Sequence, residues 1–429
     1  MNKKKLLIWS DSPSVKTGFG VVAHNLFTDL YKDFDVSILG INYFGLTRYD
    51  TSKYFIYAVD RQDPMGFERF GLILNEVKPD TILLFQDIFN IQHVLGAIKQ
   101  YSTKVPIIAY FPIDGTPVNP YWRPALDTPD KLVTYTQWGI EKILDVHPHL
   151  KNIEYLYHGV NFGDYHLLPS SPRRKFKEEA GWNDKFVIMS NNRFQPRKVL
   201  GLGLRATALF TKGYKKCTCG NIYLRTKKKC DLNNCTMAPM YEVDGHSDVL
   251  VYMHANMSER TMGPGPANAL TAQAMNAGYL SDDINKQITF FGGNAYDSPL
   301  SENQLCILYN VADVNISTSL GEGVGLSLIE AMACGTTNIA PDHSSIPEML
   351  GDTGHIVPNV GFVNIAMDNA HLRPVVNIEK FVAALEIEYQ KWIANGRKKV
   401  VNQAGIDRAK LLFQWQDKRD KMLGWLKSA

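Results

Sequence analysis

Ser317-Thr318-Ser319-Leu320-Gly321-Glu322-Gly323-Val324-Gly325-Leu326-Ser327-Leu328-Ile329-Glu330-Ala331-Met332-Ala333-Cys334-Gly335 governs the reading of the whole chain. Three glycines alternate through Gly325, and glycine permits backbone conformations and close approaches barred to other residues. The run that follows, Leu326–Cys334, is apolar or small nearly all round, which predicts a buried helix. Glu330 is its only charge. A carboxylate there requires hydrogen-bond donors or a cation, which ligand hydroxyls or a core arginine would supply. Glu322 falls in the glycine turn and should point into a cleft. The two carboxylates do not read as a glycosidase pair, because one is on a loop and the other about two turns along a single helix, whereas such pairs flank their substrate from opposite sides.

Outward from this stretch the pattern alternates. A helix over Glu302–Asn310 and a strand over Val314–Ser317 precede it, and a strand over Thr337–Ala340 follows. Further upstream come strands at Phe186–Ser190, Val249–His254 and Ile288–Phe291, with a helix over Leu202–Phe210. The first third of the chain repeats the theme, with strands expected at Lys5–Trp9, Asp35–Leu39, Thr81–Phe85, Pro106–Tyr110 and Lys131–Tyr135 and helices at Val21–Leu30 and Ile91–Lys99. Short β-branched runs between helices imply parallel sheets covered on both faces. The fold class is therefore α/β, with two facing Rossmann-like domains and a ligand cleft where their strand C-termini meet. The expected boundaries are 1–165 and 173–400, with a linker around Tyr157–Pro172. Within the second domain lies an insertion over 212–246, and a terminal helix, 401–429, packs back on the first domain.

Composition narrows the function. The 429 residues carry 46 Lys+Arg against 43 Asp+Glu, so a nucleic-acid or membrane partner would need a local charge cluster rather than a global field. No apolar run approaches the roughly 20 residues of a membrane helix. Lys3-Lys4-Lys5 is followed by only four apolar residues, Leu6 to Trp9, short of a signal sequence, so a cytoplasmic location without a transmembrane segment is expected.

Four groups of residues could carry chemistry. Gly18-Phe19-Gly20-Val21-Val22-Ala23 spells G-x-G-x-x-A, but seven residues separate it from the first strand and the second strand ends without a carboxylate, which argues against a nicotinamide site. A glycine loop before a helix N-terminus still suits a phosphate; it also suits a plain turn. Arg193 and Lys198 flank a turn after the Phe186–Ser190 strand, as a diphosphate site or as solvated charges. Asp114 follows the fourth strand, where ligands bind, and is equally suited to forming a turn before Gly115. Cys217, Cys219, Cys230 and Cys235 form C-x-C, ten residues, then C-x4-C. Two close thiolate pairs suit a structural, tetrahedral zinc. Six cysteines in a chain this long do not make a disulfide framework.

Together these residues resemble the GT-B retaining glycosyltransferases, especially glycosyltransferase family 4. The family's Glu, seven residues, Glu pattern fits Glu322 and Glu330, and its flanks fit Gly323-Val324-Gly325-Leu326, Ala331-Met332-Ala333-Cys334-Gly335, Ser344-Ser345-Ile346-Pro347-Glu348 and Leu308-Tyr309-Asn310-Val311-Ala312-Asp313-Val314. The resemblance covers most of the chain and is strongest from Phe291 to Pro358. It implies a nucleotide-diphosphate sugar donor, a hexose or pentose transferred with retention of configuration, and no catalytic metal. Arg193 and Lys198 would hold the diphosphate, Gly18 and Gly20 would approach it from the other domain, and Gly323, Val324 and Gly325 would line the donor. Glu330 would hold the ribose and Glu322 the transferred sugar. The family often places a His after the fourth strand of the first domain; here Asp114 takes that neighbourhood, as a candidate for orienting the acceptor.

The cysteine segment sits where the family has only a short connection. It is also basic, with Lys212, Lys215, Lys216, Arg225, Lys227, Lys228 and Lys229 against Asp231. A polyanion could bind there, so the acceptor candidates run from a glycan or small molecule to a hydroxylated base in DNA. A solvated hairpin is the plainer reading. The competing functions are a nucleotide-sugar epimerase, a phosphorylase, or a catalytically idle nucleic-acid-binding protein on the same scaffold.

Overall fold

In the computed structural model the described residues are 3–45, 54–100, 104–228, 230, 240–255, 265–291 and 300–429. The chain divides into two compact units: Met1–Val160 with Asp368–His371 and Leu412–Ala429, and Asn161–Met367 with Leu372–Leu411.

The first unit is built on β1 (Lys4–Asp11), β2 (Phe34–Ile41), β3 (Phe55–Tyr57), β4 (Thr81–Phe85), β5 (Ile107–Phe111), β6 (Lys131–Thr134) and β7 (Ile153–Tyr155). They form one sheet in the order β3-β2-β1-β4-β5-β6-β7, every pair parallel. Leu6, Leu7, Ile8 and Trp9 of β1 are all fully buried, as a central strand covered by helices on both faces requires. The strand order reverses between β1 and β4, and the chain after β1 runs into the helix Gly18–Phe27.

The second unit repeats the plan. Its sheet uses β8 (Phe186–Asn191), then, after a small three-stranded sheet of β9 (Tyr214–Lys216), β10 (Ile222–Leu224) and β11 (Tyr241–Val243), it continues with β12 (Val249–His254), β13 (Ile288–Phe291), β14 (Val314–Ile316), β15 (Thr337–Pro341) and β16 (His355–Val357). The order is β13-β12-β8-β14-β15-β16, all parallel, with the reversal between β8 and β14. An antiparallel pair, β17 (Asn359–Val363) and β18 (Arg373–Val376), follows. The tail forms helices at Ile378–Ala394, Gln403–Leu412 and Trp415–Ser428. Among the described residues, no helix is long and apolar enough to cross a membrane.

The central strands fall within a residue or two of expectation. Within the two parallel sheets the sequence reading omits β3, β7 and β16, which are three-residue strands at sheet edges, too short to show a hydrophobic period.

Candidate functional site

Open parallel sheets bind ligands at the strand C-termini beside the point where strand order reverses. In the second unit that point lies between the ends of β8 and β14, and the chain crowds polar groups there. After β8 a short turn, Pro196–Lys198, leads through Val199 into the helix Leu200–Lys212. Val199 sits at φ 37°, ψ 50°, left-handed backbone that a β-branched residue adopts only under strain. This kink holds Lys198 inward, 8% exposed, with its ammonium on Oε1 of Glu322.

Glu322 is also 8% exposed and is fixed from three directions. Its backbone N–H donates to Ser344 Oγ at 2.9 Å, its carbonyl accepts from Ser345 Oγ at 2.9 Å, and Arg197 Nη1 stands 3.9 Å from its Oε2. Arg197 also donates to the Gly321 carbonyl at 3.0 Å, tying the turn after β8 to the glycine loop after β14. A buried carboxylate needs such partners.

Gly325 caps the next helix, Leu326–Ala333, at φ 80°, ψ 68°, and no side chain caps its N-terminus. Positive φ is what glycine supplies at this position. An N-terminus without a side-chain cap leaves backbone N–H groups for an anion.

Glu330 lies on this helix and is half-buried. Among the described residues it meets no arginine. Tyr309 Oη donates to its Oε2 at 2.9 Å, and Asn191 Nδ2 at the end of β8 donates to Tyr309 Oη at 2.7 Å. Burial pushes the Glu330 carboxyl up to about 7; the Tyr309 hydroxyl pulls it back and the charge of Glu302 adds to the rise. Tyr309 is itself fully buried, and burial drives its phenol well above the ordinary value, so it stays a neutral donor. Lys399 Nζ donates to the carbonyls of Tyr309 at 2.9 Å and Ala312 at 2.8 Å, at the C-terminus of the helix Glu302–Val311 that positions Tyr309, and burial pulls the Lys399 amine down to about 7.

Of the residues singled out in the sequence, the structure brings Lys198 and Glu322 into contact and sets Val324 and Gly325 beside them in the chain. Arg193 stands exposed on the loop before the turn, and Arg197 brings its guanidinium to 3.9 Å from Glu322. Tyr309 and Ser344 stand in the flanks on which the resemblance rests but received no role there, and Arg197, Asn191 and Lys399 received none either. A tyrosine amid the apolar residues of an amphipathic helix hints at a buried hydroxyl needing a partner; the others carry no local signal.

In the first unit the reversal point lies between β1 and β4. Asp11, at the end of β1 and buried, accepts from the Thr17 hydroxyl and from Gln86 Nε2 at 2.9 Å. Thr17 in turn caps the helix, accepting from Gly20 N–H at 3.0 Å. The two glycines differ. A Cβ on Gly20 would meet the Val15 carbonyl oxygen at 2.2 Å, so its absence is a packing requirement. A Cβ on Gly18 would meet nothing within 4 Å, and Gly18 is exposed at the helix start. Asp114, after β5, is half-buried and lines a small cavity with Asp87, Pro112, Trp122 and His371.

The cysteine segment rests on the small sheet. Cys217, Cys219 and Cys230 present sulfurs within 4.8 Å of one another, and Cys235 lies outside the described residues. The basic residues are largely engaged within the unit: Lys212 with Asp283, Lys215 with Glu242 at 3.6 Å, Lys216 with Glu379 at 3.2 Å and Arg225 with Asp244. Lys229 and Asp231 lie outside the described residues.

Comparison with solved structures places this architecture. The chain is similar over 99% of its length, and 99% of the other, to sucrose-phosphate synthase from Thermosynechococcus elongatus, at 14% identity and a TM-score of 0.68. It is similar over 100% of its length to 99% of a glycosyltransferase from Rickettsia africae ESF-5, at 16% identity and 0.66. HepE from Anabaena, solved in complex with UDP-glucose, matches 99% of this chain over 100% of its own at 12% identity and 0.65. The fold is the GT-B fold of glycosyltransferases. Residues 254–367, which include the Lys198-facing loop with Glu322 and the Glu330 helix, match the family described as Glycosyl transferases group 1. No curated protein matches the chain.

Proposed function

We propose that this protein is a retaining glycosyltransferase that moves a hexose or pentose from a nucleotide-diphosphate sugar to an acceptor hydroxyl without a catalytic metal. The observation that carries the reading is the buried Lys198–Glu322 pair at the reversal point of the second sheet, beside a helix N-terminus with no side-chain cap.

In this reading the backbone at Gly323, Val324 and Gly325 approaches the donor, and the helix that Gly325 opens presents N–H groups to the diphosphate. Lys198 and Arg193 neutralise the charge that grows on the leaving diphosphate, a contribution of preorganised cations to the transition state. Arg197 joins them through Glu322. Glu322, held by Ser344 and Lys198, meets the hydroxyls of the transferred sugar. Glu330 accepts from the ribose hydroxyls, which add donors to the one that Tyr309 gives this buried carboxylate. Within the first unit the reading assigns the exposed Gly18 to the donor phosphates and Asp114 to the acceptor, while Gly20, buried with its N–H on Thr17, serves the packing of the helix start. Retention follows from attack on the face the diphosphate leaves, with a phosphate oxygen taking the acceptor's proton.

UDP-glucose is the first donor to try, since HepE was solved with it. That four of the basic side chains in the insertion are paired with carboxylates supports a glycan or small molecule as acceptor ahead of nucleic acid.

The test is a thermal-shift panel of nucleotides and nucleotide sugars, because a ligand that binds only the folded chain raises Tm by mass action. One nucleoside diphosphate and its sugar conjugates should raise Tm, and the matching donor should give a product whose anomeric configuration, read by NMR, equals that of the donor. No shift with any nucleotide sugar would refute the donor site, and an inverted product would refute the mechanism.

A further inference from the structure

The cysteine segment takes no part in the transfer chemistry, and its geometry points to a site of its own. We propose that Cys217, Cys219 and Cys230 are ligands of a structural zinc ion that closes the β9–β10 hairpin onto the chain that follows it.

The hairpin is shaped for this. Cys217 and Asn221 close the turn between β9 and β10, with Cys217 N–H donating to the Asn221 carbonyl at 2.9 Å and Gly220 N–H to the Cys217 carbonyl at 2.9 Å. Gly220 takes φ 98°, which a side chain would oppose, and this reversal brings Cys219 round toward the Cys217 side of the turn. Cys230 arrives from beyond β10, thirteen positions after Cys217 in the chain. The Cys219 and Cys230 sulfurs stand 3.6 Å apart. Thiolates at the ordinary zinc–sulfur distance in a tetrahedron are separated by about 3.8 Å, whereas a disulfide holds them at about 2.05 Å. The three sulfurs all lie within 4.8 Å of one another, close enough for one ion to gather them with small side-chain adjustments.

The surroundings fit thiolates. Asn221 Nδ2 donates to Cys219 Sγ at 3.5 Å, and the Tyr223 hydroxyl lies 3.2 Å from Cys230 Sγ. Donors to coordinated sulfur orient the ligand and spread its charge. Three or four thiolates on a divalent ion leave a net negative site, and Lys215, Lys216 and Arg225 lie on the same small sheet or next to it. All-sulfur tetrahedral donors select zinc over the hard cations, which prefer oxygen.

The hairpin is also joined to the core of the unit. Leu224 and Tyr214 pack against the main hydrophobic cluster, a Cβ on Gly278 would meet Leu224 at 2.7 Å, and Lys216 pairs with Glu379 on the Ile378–Ala394 helix. Zinc binding would therefore contribute directly to the stability of this part of the second unit.

The full chain, purified without chelator, is expected to contain about one zinc per chain. Exchange with cobalt should give the thiolate-to-metal charge-transfer absorption of three or four sulfurs and the visible bands of tetrahedral geometry. The paired variant Cys219→Ser with Cys230→Ser should lose the metal and the absorption. Glu322→Gln, on the opposite side of the functional reading, should keep both, which separates failure of the metal site from failure of the transferase assignment. If the paired variant does not fold, the cobalt spectrum of the parent chain alone decides. Absence of zinc, iron in its place, an absorption of two or fewer sulfurs, or a Cys219–Cys230 disulfide in freshly prepared protein would overturn the proposal.

Discussion

Replacing Glu330 by Gln separates two effects that share one side chain. The carboxyl titrates at about 7 rather than the ordinary 4.5, because burial outweighs the single hydroxyl that Tyr309 donates. A carboxyl whose pKa is raised on folding binds its proton more tightly in the folded state. Stability is then highest below the unfolded value and falls as pH rises through the window from about 4.5 to about 7. The full shift corresponds to about 3 kcal/mol at 1.36 kcal/mol per pH unit, and partial exposure brings the expected cost nearer 1–2 kcal/mol. Glu330→Gln removes the ionisation while keeping an oxygen for Tyr309. The variant should therefore gain stability relative to the parent between pH 5 and pH 8, by about 1–2 kcal/mol in urea denaturation without ligand. In the proposed function the ribose hydroxyls stabilise the ionised form, so nucleotide affinity of the parent should tighten as pH rises through 7 and that of the variant should be weaker and flat. A parent whose stability relative to the variant does not change between pH 5 and pH 8 would refute the burial argument. Equal nucleotide affinities with equal pH profiles would refute the ribose assignment while leaving the burial argument standing.

Lys198→Ala should leave Glu322 buried without its ammonium, costing about 3 kcal/mol by chemical denaturation and lowering donor turnover on the order of a hundredfold, whereas Arg193→Ala, at an exposed position, should lower turnover with little loss of stability. Gly20→Ala should destabilise the first unit by about 1–3 kcal/mol because the new methyl meets the Val15 carbonyl, while Gly18→Ala should leave Tm within a degree or two and weaken donor binding if Gly18 approaches a phosphate. Tyr309→Phe strips a donor from Glu330 and an acceptor from Asn191 and should cost about 1–3 kcal/mol, with the Glu330 pKa rising further by NMR titration.

The amino-acid sequence alone set the α/β alternation, because buried parallel strands and their covering helices leave apolar runs that differ in period and length. Strands such as Thr81–Phe85 and Val249–His254 are legible to the residue for that reason. It also marked the glycine turn before Glu330, since glycine at Gly325 has a local conformational cause, and it grouped the cysteines by spacing. What it left open was every choice between partners distant in the chain. Lys198 and Arg197 meet Glu322 across 124 and 125 positions, as numbered, through a turn whose strain at Val199 no local pattern announces. The partner of Glu330 is a tyrosine hydroxyl rather than a core arginine, and that choice came from how the helix Glu302–Val311 packs beside the end of β8. The basic run of the insertion was open in one dimension to a polyanion site as well as to the plainer solvated hairpin; Asp283, Glu242, Glu379 and Asp244 reach Lys212, Lys215, Lys216 and Arg225 only because separate strands and helices fold alongside it. Local propensity acts over a few residues, whereas the polar contacts of a buried site are made where sheet order brings distant strand ends together, and only the tertiary structure decides them.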